Sequence, residues 1–411
     1  MKKDQKYYGE VWFPQDETRC FCVLSVNDND ILLETNLLTN KSVHKEPRIN
    51  GVFTGLGHLT FVDCKIRKSE SGIAQMKIYA PKYSFISAYH PVNVLDLKFQ
   101  EFNITNDVIV SWVNHGTWYD ATDEKLIKKD DISQEIRIEE IGLTVTINHS
   151  LNIHSKRTEL LIQNMGWVKF KLDNPVDTLE AIDIYNKFQK VLQLVSSKTG
   201  QFSQFSFKCL KCGEWAEIFY NDYKYVRSNS SFIHVKYDDI TADLPSIFNA
   251  AYVNDSFLFC LDKLMENLLH KHSSHNKRFT NSISTFEAFG KLYSGLTTKK
   301  LKVHLNHFSH YFINLGKLKE ENFDDFAAKI VRSRDYHIHS NLRNKDVYTE
   351  FELLYISFLI DFVVGYGLLE SIGVSEDVME KIKMKCQMVY IGMKESNQIL
   401  STNPLDSSTV F

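Results

Sequence analysis

The chain has 411 residues, which is more than one ordinary domain contains and favours two domains. Its residues are 43% hydrophobic and 24% charged, with only seven prolines, so the composition excludes a mainly disordered or collagen-like protein. The formal net charge of −3 argues against a protein held to nucleic acid by bulk positive charge, although it is compatible with a local basic patch.

The N-terminal residues and the cysteines bear on the cellular compartment. Met1 to Lys6 lead directly into a strand-like run without a long apolar segment, so we expect no signal peptide. The seven cysteines are odd in number and scattered, which argues against a disulfide framework. A reducing cytoplasm is the expected location.

Residues 7–172 are strand-like. Short runs rich in valine, isoleucine, threonine and aromatic residues alternate with polar clusters that suit turns. The runs are GEVWFP, RCFCVLSV, DILLET, GVFTGLGHLTFVDCKI, AQMKIYAP, DVIVSWV, EIRIEEIGLTVTINHSLNI, TELLIQNM and WVKFKL. Many short strands at this spacing predict an antiparallel sandwich or barrel rather than alternating β and α units.

One helix interrupts the strands. Asp177 and Glu180 form a capping-box pattern, apolar residues follow at helical spacing, and Gly200 ends the segment. Strand-like sequence resumes over 202–237, so we expect this helix to pack on the β domain.

The character of the sequence changes near Pro245, a residue that suits the first turn of a helix. Residues 271–282 read as a polar loop between helical segments. The predicted helices are 245–269, 283–295, 301–318, 323–339, 349–371 and 375–396. Short connections between so many helices indicate a bundle.

These patterns predict an α+β multidomain protein. An antiparallel all-β N-terminal domain, sandwich- or barrel-like with one packed helix, occupies residues 1–242. A helical bundle follows at 243–396, and 397–411 form a flexible tail.

The run from Phe351 to Leu369 is nearly long enough to cross a bilayer. Glu352 and Asp361 interrupt it, and a carboxylate in the middle of a span is costly in hydrocarbon. We expect a helix buried inside the bundle and no membrane partner.

The densest group of reactive side chains lies in Val331-Arg-Ser-Arg-Asp-Tyr-His-Ile-His-Ser-Asn-Leu-Arg343. On a helix, Arg332, Asp335 or Tyr336, and His339 share one face, and Arg334 can reach the same groove. Asp335 and His339 are i,i+4 neighbours, so the carboxylate can orient the imidazole and favour its protonated form.

Such a group suits phosphodiester chemistry without a metal ion. A guanidinium binds phosphate through a fork of donors and stabilises charge that develops in the transition state. A histidine that titrates near neutral pH can take a proton from a ribose 2′-OH or give one to the leaving oxygen. The expected reaction is RNA cleavage, because deoxyribose lacks that nucleophile.

The bare spacing, an arginine followed by four to six residues and a histidine, is a weak signal. Arg227 to His234 matches it in a strand-like region and is interpreted as chance, and Arg332 with His337 overlaps the better pair. From spacing alone, a solvated and charged helix end without chemistry explains the segment as well.

Two resemblances to known families change this balance. Arg334-Asp-Tyr-His-Ile-His339, placed before a long apolar helix, resembles the signature of HEPN-domain ribonucleases. The helix around Ile283–Phe289, with Glu287 in its middle, is similar to an earlier HEPN helix that often carries an acidic residue facing the motif. Gly9-Glu-Val-Trp-Phe-Pro14 and Ile31-Leu-Leu-Glu34 resemble the β-rich N-terminal domain of ApeA-type anti-phage proteins, which carry a C-terminal HEPN domain.

The resemblance implies roles for individual residues. Arg334 would stabilise the scissile phosphate, His339 would act as general acid and base, and Asp335 would orient the site. His337 competes with His339 for the catalytic role. Arg332 and Arg343 would be RNA contacts or surface charge, and Glu287 would line the substrate site.

The resemblance also implies partners. HEPN proteins usually dimerise so that two motifs share one cleft, which implies a homodimer or a higher assembly. ApeA-type proteins imply anti-phage defence by abortive infection, with cellular RNA such as tRNA as the substrate and a phage-derived trigger as a further partner. No cofactor and no metal are expected at the site.

Other motifs have structural explanations. Cys209 and Cys212 have the spacing of half a zinc site, but no second such pair exists, so two ordinary thiols or a structural zinc remain open. Histidines 270, 272 and 275 suit a solvated or RNA-facing loop. Histidines 304, 307 and 310 slide around a helix, which favours packing or surface positions.

The leading hypothesis is thus a metal-independent endoribonuclease with a β-rich sensing or regulatory domain. One alternative is a HEPN-like bundle that binds RNA or a nucleotide without cleaving it. The other is an interaction module in which the charged segment forms a dimer interface.

Overall fold

The structure is a computed structural model in which the placement of most of the chain is described. The described residues are 1, 4–16, 18–27, 30–38, 45–70, 76–81, 83–87, 98–106, 112–113, 118–120, 122, 125–127, 132–156, 159–197, 202–208, 215–220, 233–269, 272, 274–298, 300–339 and 346–402. Of some of these, His339 among them, only the backbone is described.

The chain divides into two compact units. Residues 1–183 and 200–225 form a β unit, and residues 184–199 and 226–411 form a helical unit. The division falls inside the first helix, α1 (Thr178–Ser196), whose larger part groups with the C-terminal helices and not with the β domain. The predicted boundary at residue 243 stays a prediction.

The β unit is antiparallel throughout its described pairings. Its strands are β1 (Lys6–Trp12), β2 (Cys20–Asn27), β3 (Asp30–Thr35), β4 (Lys45–Phe53), β5 (Gly57–Glu70), β6 (Met76–Ala80), β7 (Tyr83–Ser87), β8 (Phe99–Asn106), β9 (Trp118–Asp120), β10 (Lys125–Ile127), β11 (Ile132–Ile138), β12 (Leu143–Lys156), β13 (Glu159–Val176), β14 (Phe202–Lys208) and β15 (Trp215–Tyr220). Strands β9 and β10 form a separate hairpin.

The first six strands close into a barrel. Their order is β5-β4-β1-β2-β3-β6, and β6 pairs back onto β5. The length of β5 makes this possible, because residues 58–62 pair with β7 while residues 65–70 pair with β6. Closure leaves no free edges among these strands, and alternate residues point inward to form the core. The barrel-like prediction is confirmed.

The sheet continues beyond the barrel through β7. The order of the remaining strands is β7-β15-β14-β8-β13-β12-β11. Aromatic rings form the core of this part: Phe102 on β8 stacks on Phe170 and Phe205 from its two neighbouring strands, with centroids 4.7 and 5.0 Å away. Stacked rings of this kind stabilise a sheet beyond their buried area.

Gly9 lies where β1 and β4 approach closely. A Cβ at this position would clash with the backbone oxygen of Val52 and would lie 2.8 Å from the Phe53 ring. The glycine in the Gly9–Pro14 motif is therefore required by barrel packing, and not by a turn.

We expect Gly9→Ala to lower the free energy of unfolding of the β unit by about 1–3 kcal/mol, since a methyl group there must displace backbone. Chemical denaturation of the purified protein measures this. Gly392→Ala is the comparison, because its Cβ would meet nothing within 4 Å and alanine within a helix costs no stability relative to glycine. Equal stabilities for the two variants would contradict the packing argument.

The helical unit contains the C-terminal helices. They are α2 (Tyr237–Ile240), α3 (Leu244–Val253), α4 (Asp255–Leu269), α5 (His275–Tyr293), α6 (Leu301–His307), α7 (Ser309–Gly316), α8 (Phe323–His339), α9 (Glu350–Ser371) and α10 (Glu376–Thr402). The predicted α+β organisation, strands followed by helices, is confirmed.

Local side-chain hydrogen bonds explain where several helices begin. Asp177 Oδ1 accepts from Leu179 N and Glu180 N, and Glu180 Oε2 accepts from Asp177 N, so the predicted capping box is confirmed. Thr349 and Glu352 form a second capping box at α9.

Four predicted segments differ in extent. The predicted helix 375–396 continues to Thr402, into the predicted tail. Helix α5 begins at His275, inside the predicted loop, because the Ser274 hydroxyl caps it by accepting from Lys277 N at 3.2 Å. The predicted helix 245–269 is divided at Asn254, whose Oδ1 accepts from Phe257 N at 3.0 Å and starts a new helix. The predicted helix 301–318 is divided at Phe308.

Helix α9 is the apolar core of the helical unit. By length and composition it could cross a membrane, but 83% of its most apolar window is buried inside the protein, as in the core helix of a bundle. Its carboxylate Asp361 is fully buried, and Asn267 on α4 donates to it at 2.8 and 3.1 Å. Arg278 on α5 lies 3.5 Å away. This polar network explains how an acidic residue is accommodated in the apolar helix.

Candidate active site

Helix α8 carries the Arg334 motif at its C-terminal end. A single 3-10 turn at Glu320–Asn322 leads into it, and Asp324 and Asp325 lie in its first turn, where the helix dipole favours negative charge. Ala327 and Ile330 are fully buried, so the first half of the helix is anchored in the bundle. The charged second half of the helix is half-buried along most of its length.

Two carboxylates hold the Arg334 guanidinium. Its Nη2 lies 2.8 Å from Glu287 Oε1 on α5, and its Nη1 lies 3.0 Å from Asp335 Oδ1. The Nε atom is buried and has no hydrogen-bond partner among the described residues. Arg334, Glu287 and Asp335 are 25, 31 and 35% exposed, so the group is open to solvent on one side.

The position of Glu287 follows from the two faces of α5. Phe286 and Phe289, on either side of it in sequence, are buried in the core. Glu287 lies on the half-exposed face, where it meets Arg334 of α8. The structure thus brings together Arg334, Asp335 and Glu287, the acidic residue that the resemblance assigns to the motif.

His337 is turned toward α5. Its ring makes an edge contact with Phe279 at 6.4 Å between centroids and another with Tyr336 at 5.0 Å. Its Nε2 is buried, with no hydrogen-bond partner in the part of the chain that the structure describes. Burial lowers the pKa of His337, and the negative charge of Glu350 offsets part of this. His337 therefore occupies a packed position.

His339 is the last residue of α8, and its side chain lies outside the description. It follows Arg334 by five residues, which is about 7.5 Å along a helix axis. Asp335, one turn before it, is a neighbour on the helix surface. The predicted catalytic roles of Arg334, His339 and Asp335 stay predictions.

The remaining arginines of the motif differ in placement. Arg332 is directed away from Arg334 and pairs with the Asp346 carboxylate. Its Nε also donates to the Asp346 backbone oxygen at 3.2 Å. Arg343 lies outside the described residues.

Two family models together match most of the chain. The model described as ApeA N-terminal domain 1 matches residues 6–250. The model described as ApeA-like HEPN matches residues 250–378, which include Glu287, Arg334 and His339. The chain belongs to the ApeA family. No curated protein matches it.

The HEPN domain places this ApeA-family protein in an anti-phage HEPN nuclease family. The resemblance seen in Arg334–His339 and in Gly9–Pro14 is confirmed for both halves of the chain. The HEPN match spans helices α4 to α9, so Glu287 and the motif belong to one domain.

Some of the other predicted sites of this ApeA-family chain lie among the described residues, and others do not. Cys209 and Cys212 lie outside the described residues, as does His270. His304 is buried and contacts the Thr298 backbone oxygen at 3.0 Å, which supports its expected packing role. Within the described ranges, no cluster of three or more histidine, cysteine or acidic side chains could hold a metal ion.

Sequence reasoning missed Asp346, Ser333 and Tyr348. Ser333 is fully buried between the two motif arginines and accepts from Tyr348 N at 2.9 Å. A serine inside a charged motif is expected at the surface, so nothing in the sequence indicated that Ser333 is buried. Its partner, the Tyr348 amide, is known only from the structure.

The position of His337 predicts a pH dependence of stability. Its folded-state pKa lies below the unfolded value of about 6.5, so its contribution is fully present above that pH and is lost as the pH falls toward the folded pKa. We expect the melting temperature of His337→Gln to fall less between pH 7 and pH 5 than that of the wild type. Calorimetry of both proteins measures this, and parallel slopes would contradict it.

Proposed function

We propose that this protein is a metal-independent endoribonuclease of anti-phage defence, in which Arg334 stabilises the phosphate and His339 transfers protons. The observation that carries the proposal is the Arg334 guanidinium, held at a helix end by Glu287 and Asp335 and open to solvent on one side. The ApeA-like HEPN match supports a nuclease at this location.

The guanidinium is oriented before substrate binds. Each terminal nitrogen has a carboxylate partner, so the planar fork is fixed in direction. A phosphate that approaches from the solvent side meets remaining N–H donors in a defined geometry, and such donors stabilise the extra negative charge of a pentacovalent phosphorus. Preorientation lowers the reorganisation needed in the transition state.

His339 would supply the proton transfers. The imidazole removes the proton of the ribose 2′-OH, whose oxygen attacks the adjacent phosphorus, and the bond to the 5′-oxygen breaks as the imidazolium gives that proton to the leaving oxygen. The products are a 2′,3′-cyclic phosphate and a 5′-hydroxyl end, so the charges and atoms balance without a metal or water. Asp335 would hold the histidine in the productive tautomer. His337, packed against Phe279, is the less suitable base.

The partners are part of the proposal. The substrate would be cellular RNA, with tRNA as a candidate, and the protein would act in the cytoplasm as a homodimer or a higher assembly. A phage-derived trigger would act through the β unit. Asp335 and Glu287 leave the site with more negative than positive described charge, which favours, as the second candidate, a bundle that binds a partner without cleaving RNA.

We expect RNA cleavage in EDTA by the wild type and a loss of about 10²–10⁴-fold in kcat for Arg334→Ala and His339→Ala. Arg334→Lys should recover little, because an ammonium lacks the planar fork. Gel analysis of RNA fragments and their ends measures this. Lys302→Ala is the control, since it removes an exposed pair with Asp324 at the other end of α8. Failure of every form to bind or cleave RNA would favour the second candidate.

We expect Glu287→Gln to lower kcat about ten-fold while RNA binding becomes tighter. The reason is that the amide orients Arg334 less firmly but removes a negative charge from the phosphate path. Single-turnover cleavage and filter binding separate the two effects. Weaker RNA binding by Glu287→Gln would show instead that Glu287 contacts the substrate itself.

A further inference from the structure

The chain that follows the motif is tied back onto α8 by side chains that the proposed chemistry does not use. Lys329, Arg332 and Ser333 lie at i, i+3 and i+4, so they share one stripe of the helix. Arg334 is directed elsewhere, toward Glu287 on α5. Arg332 and Arg334 therefore contact different neighbours.

The contacts that this stripe makes range from exposed to buried. The most exposed contact is that of Arg332, which donates to both the carboxylate and the backbone oxygen of Asp346. Further in, Ser333 Oγ accepts from Tyr348 N, and Lys329 Nζ lies 4.5 Å from the centroid of the Tyr348 ring. Ser333 and Tyr348 are 0 and 7% exposed, so the inner contacts lie out of water, where the loss of a backbone partner is costly.

These contacts join residues that precede His339 in the chain to residues that follow it. Asp346 follows His339 by seven residues, and Arg332 precedes it by seven, a distance of about 10 Å along a helix. By Asp346 the chain has therefore returned along α8. The last turn of a helix has carbonyl groups without intrahelical partners and frays readily. Anchoring the returning chain restricts such fraying at His339.

We propose that Arg332 is a positioning residue: through Asp346 it fixes the histidine end of α8, and it does not bind RNA. The inference rests on the proposed nuclease function and replaces the expectation that Arg332 is an RNA contact. The guanidinium donates through Nε and Nη2 to two oxygens of Asp346, so its charge is already paired and a phosphate would have to compete with that carboxylate. Its effect on cleavage would pass through the spacing of His339 and Arg334.

A charge-swap cycle tests this. The variants are Arg332→Asp, Asp346→Arg and the double variant, assayed for kcat and KM on a short single-stranded RNA. We expect each single change to lower kcat roughly five- to ten-fold with KM within about two-fold, and the double variant to recover most of kcat, because the ion pair is re-formed with its ends exchanged. Lys302→Ala, which removes the pair between α6 and Asp324 at the other end of α8, should match the wild type.

An RNA contact would give a different pattern. Arg332→Asp would then raise KM and reduce the salt slope of RNA binding by about one, Asp346→Arg would strengthen binding, and the double variant would not recover. That pattern overturns the inference.

Different measurements test the positioning role of Arg332 and the proposed nuclease function. If the wild type does not cleave RNA, the nuclease proposal fails, and hydrogen exchange of the Tyr348 amide then decides about Arg332. Faster exchange in both single variants with recovery in the double variant supports the positioning contact. Unchanged exchange in all of them overturns it.

Discussion

The ion pair between Arg334 and Glu287 is the interaction on which the candidate site depends. It joins α5 to the end of α8 across 47 positions of sequence. A second carboxylate, that of Asp335, accepts a hydrogen bond from the same guanidinium. A partly exposed pair of this kind contributes little to stability on its own. Its importance is geometric, since it fixes the direction in which the guanidinium fork points. It also sets a condition on any substrate, because a phosphate must compete with two carboxylates for the same cation.

Helix α5 connects this site to the core of the helical unit. Near its N-terminus Arg278 pairs with the buried Asp361 of α9, and nine residues later Glu287 pairs with Arg334 of α8. Burial raises the pKa of Asp361, and the positive charge of Arg278 opposes this. A buried charged network rarely adds stability over an apolar one, but it penalises every other orientation of the helices that carry it. The same helix therefore holds its register against α9 and presents Glu287 to the motif.

Within the β unit, barrel closure depends on one long strand and on one close approach between strands. Strand β5 offers one edge to two partners in succession, and Gly9 allows β1 and β4 to approach without a clash. The family model for the N-terminal domain extends to residue 250, whereas the compact units assign residues 184–199 and 226 onward to the helices. A segment recognised as part of the N-terminal domain in sequence thus belongs to the helical unit in its packing.

The sequence by itself determined the order of strands and helices, the capping box at Asp177 and the motif that marks the family, because periodicity, caps and short motifs are local properties. It did not determine that β6 would close onto β5, or that Arg332 and Arg334 would face different partners. Those outcomes depend on contacts between residues far apart in the chain, such as Arg334 with Glu287 and Arg332 with Asp346. Two arginines two positions apart look alike in sequence, but a helix turns them about 200° from each other, and only the packed neighbours decide which one faces the site.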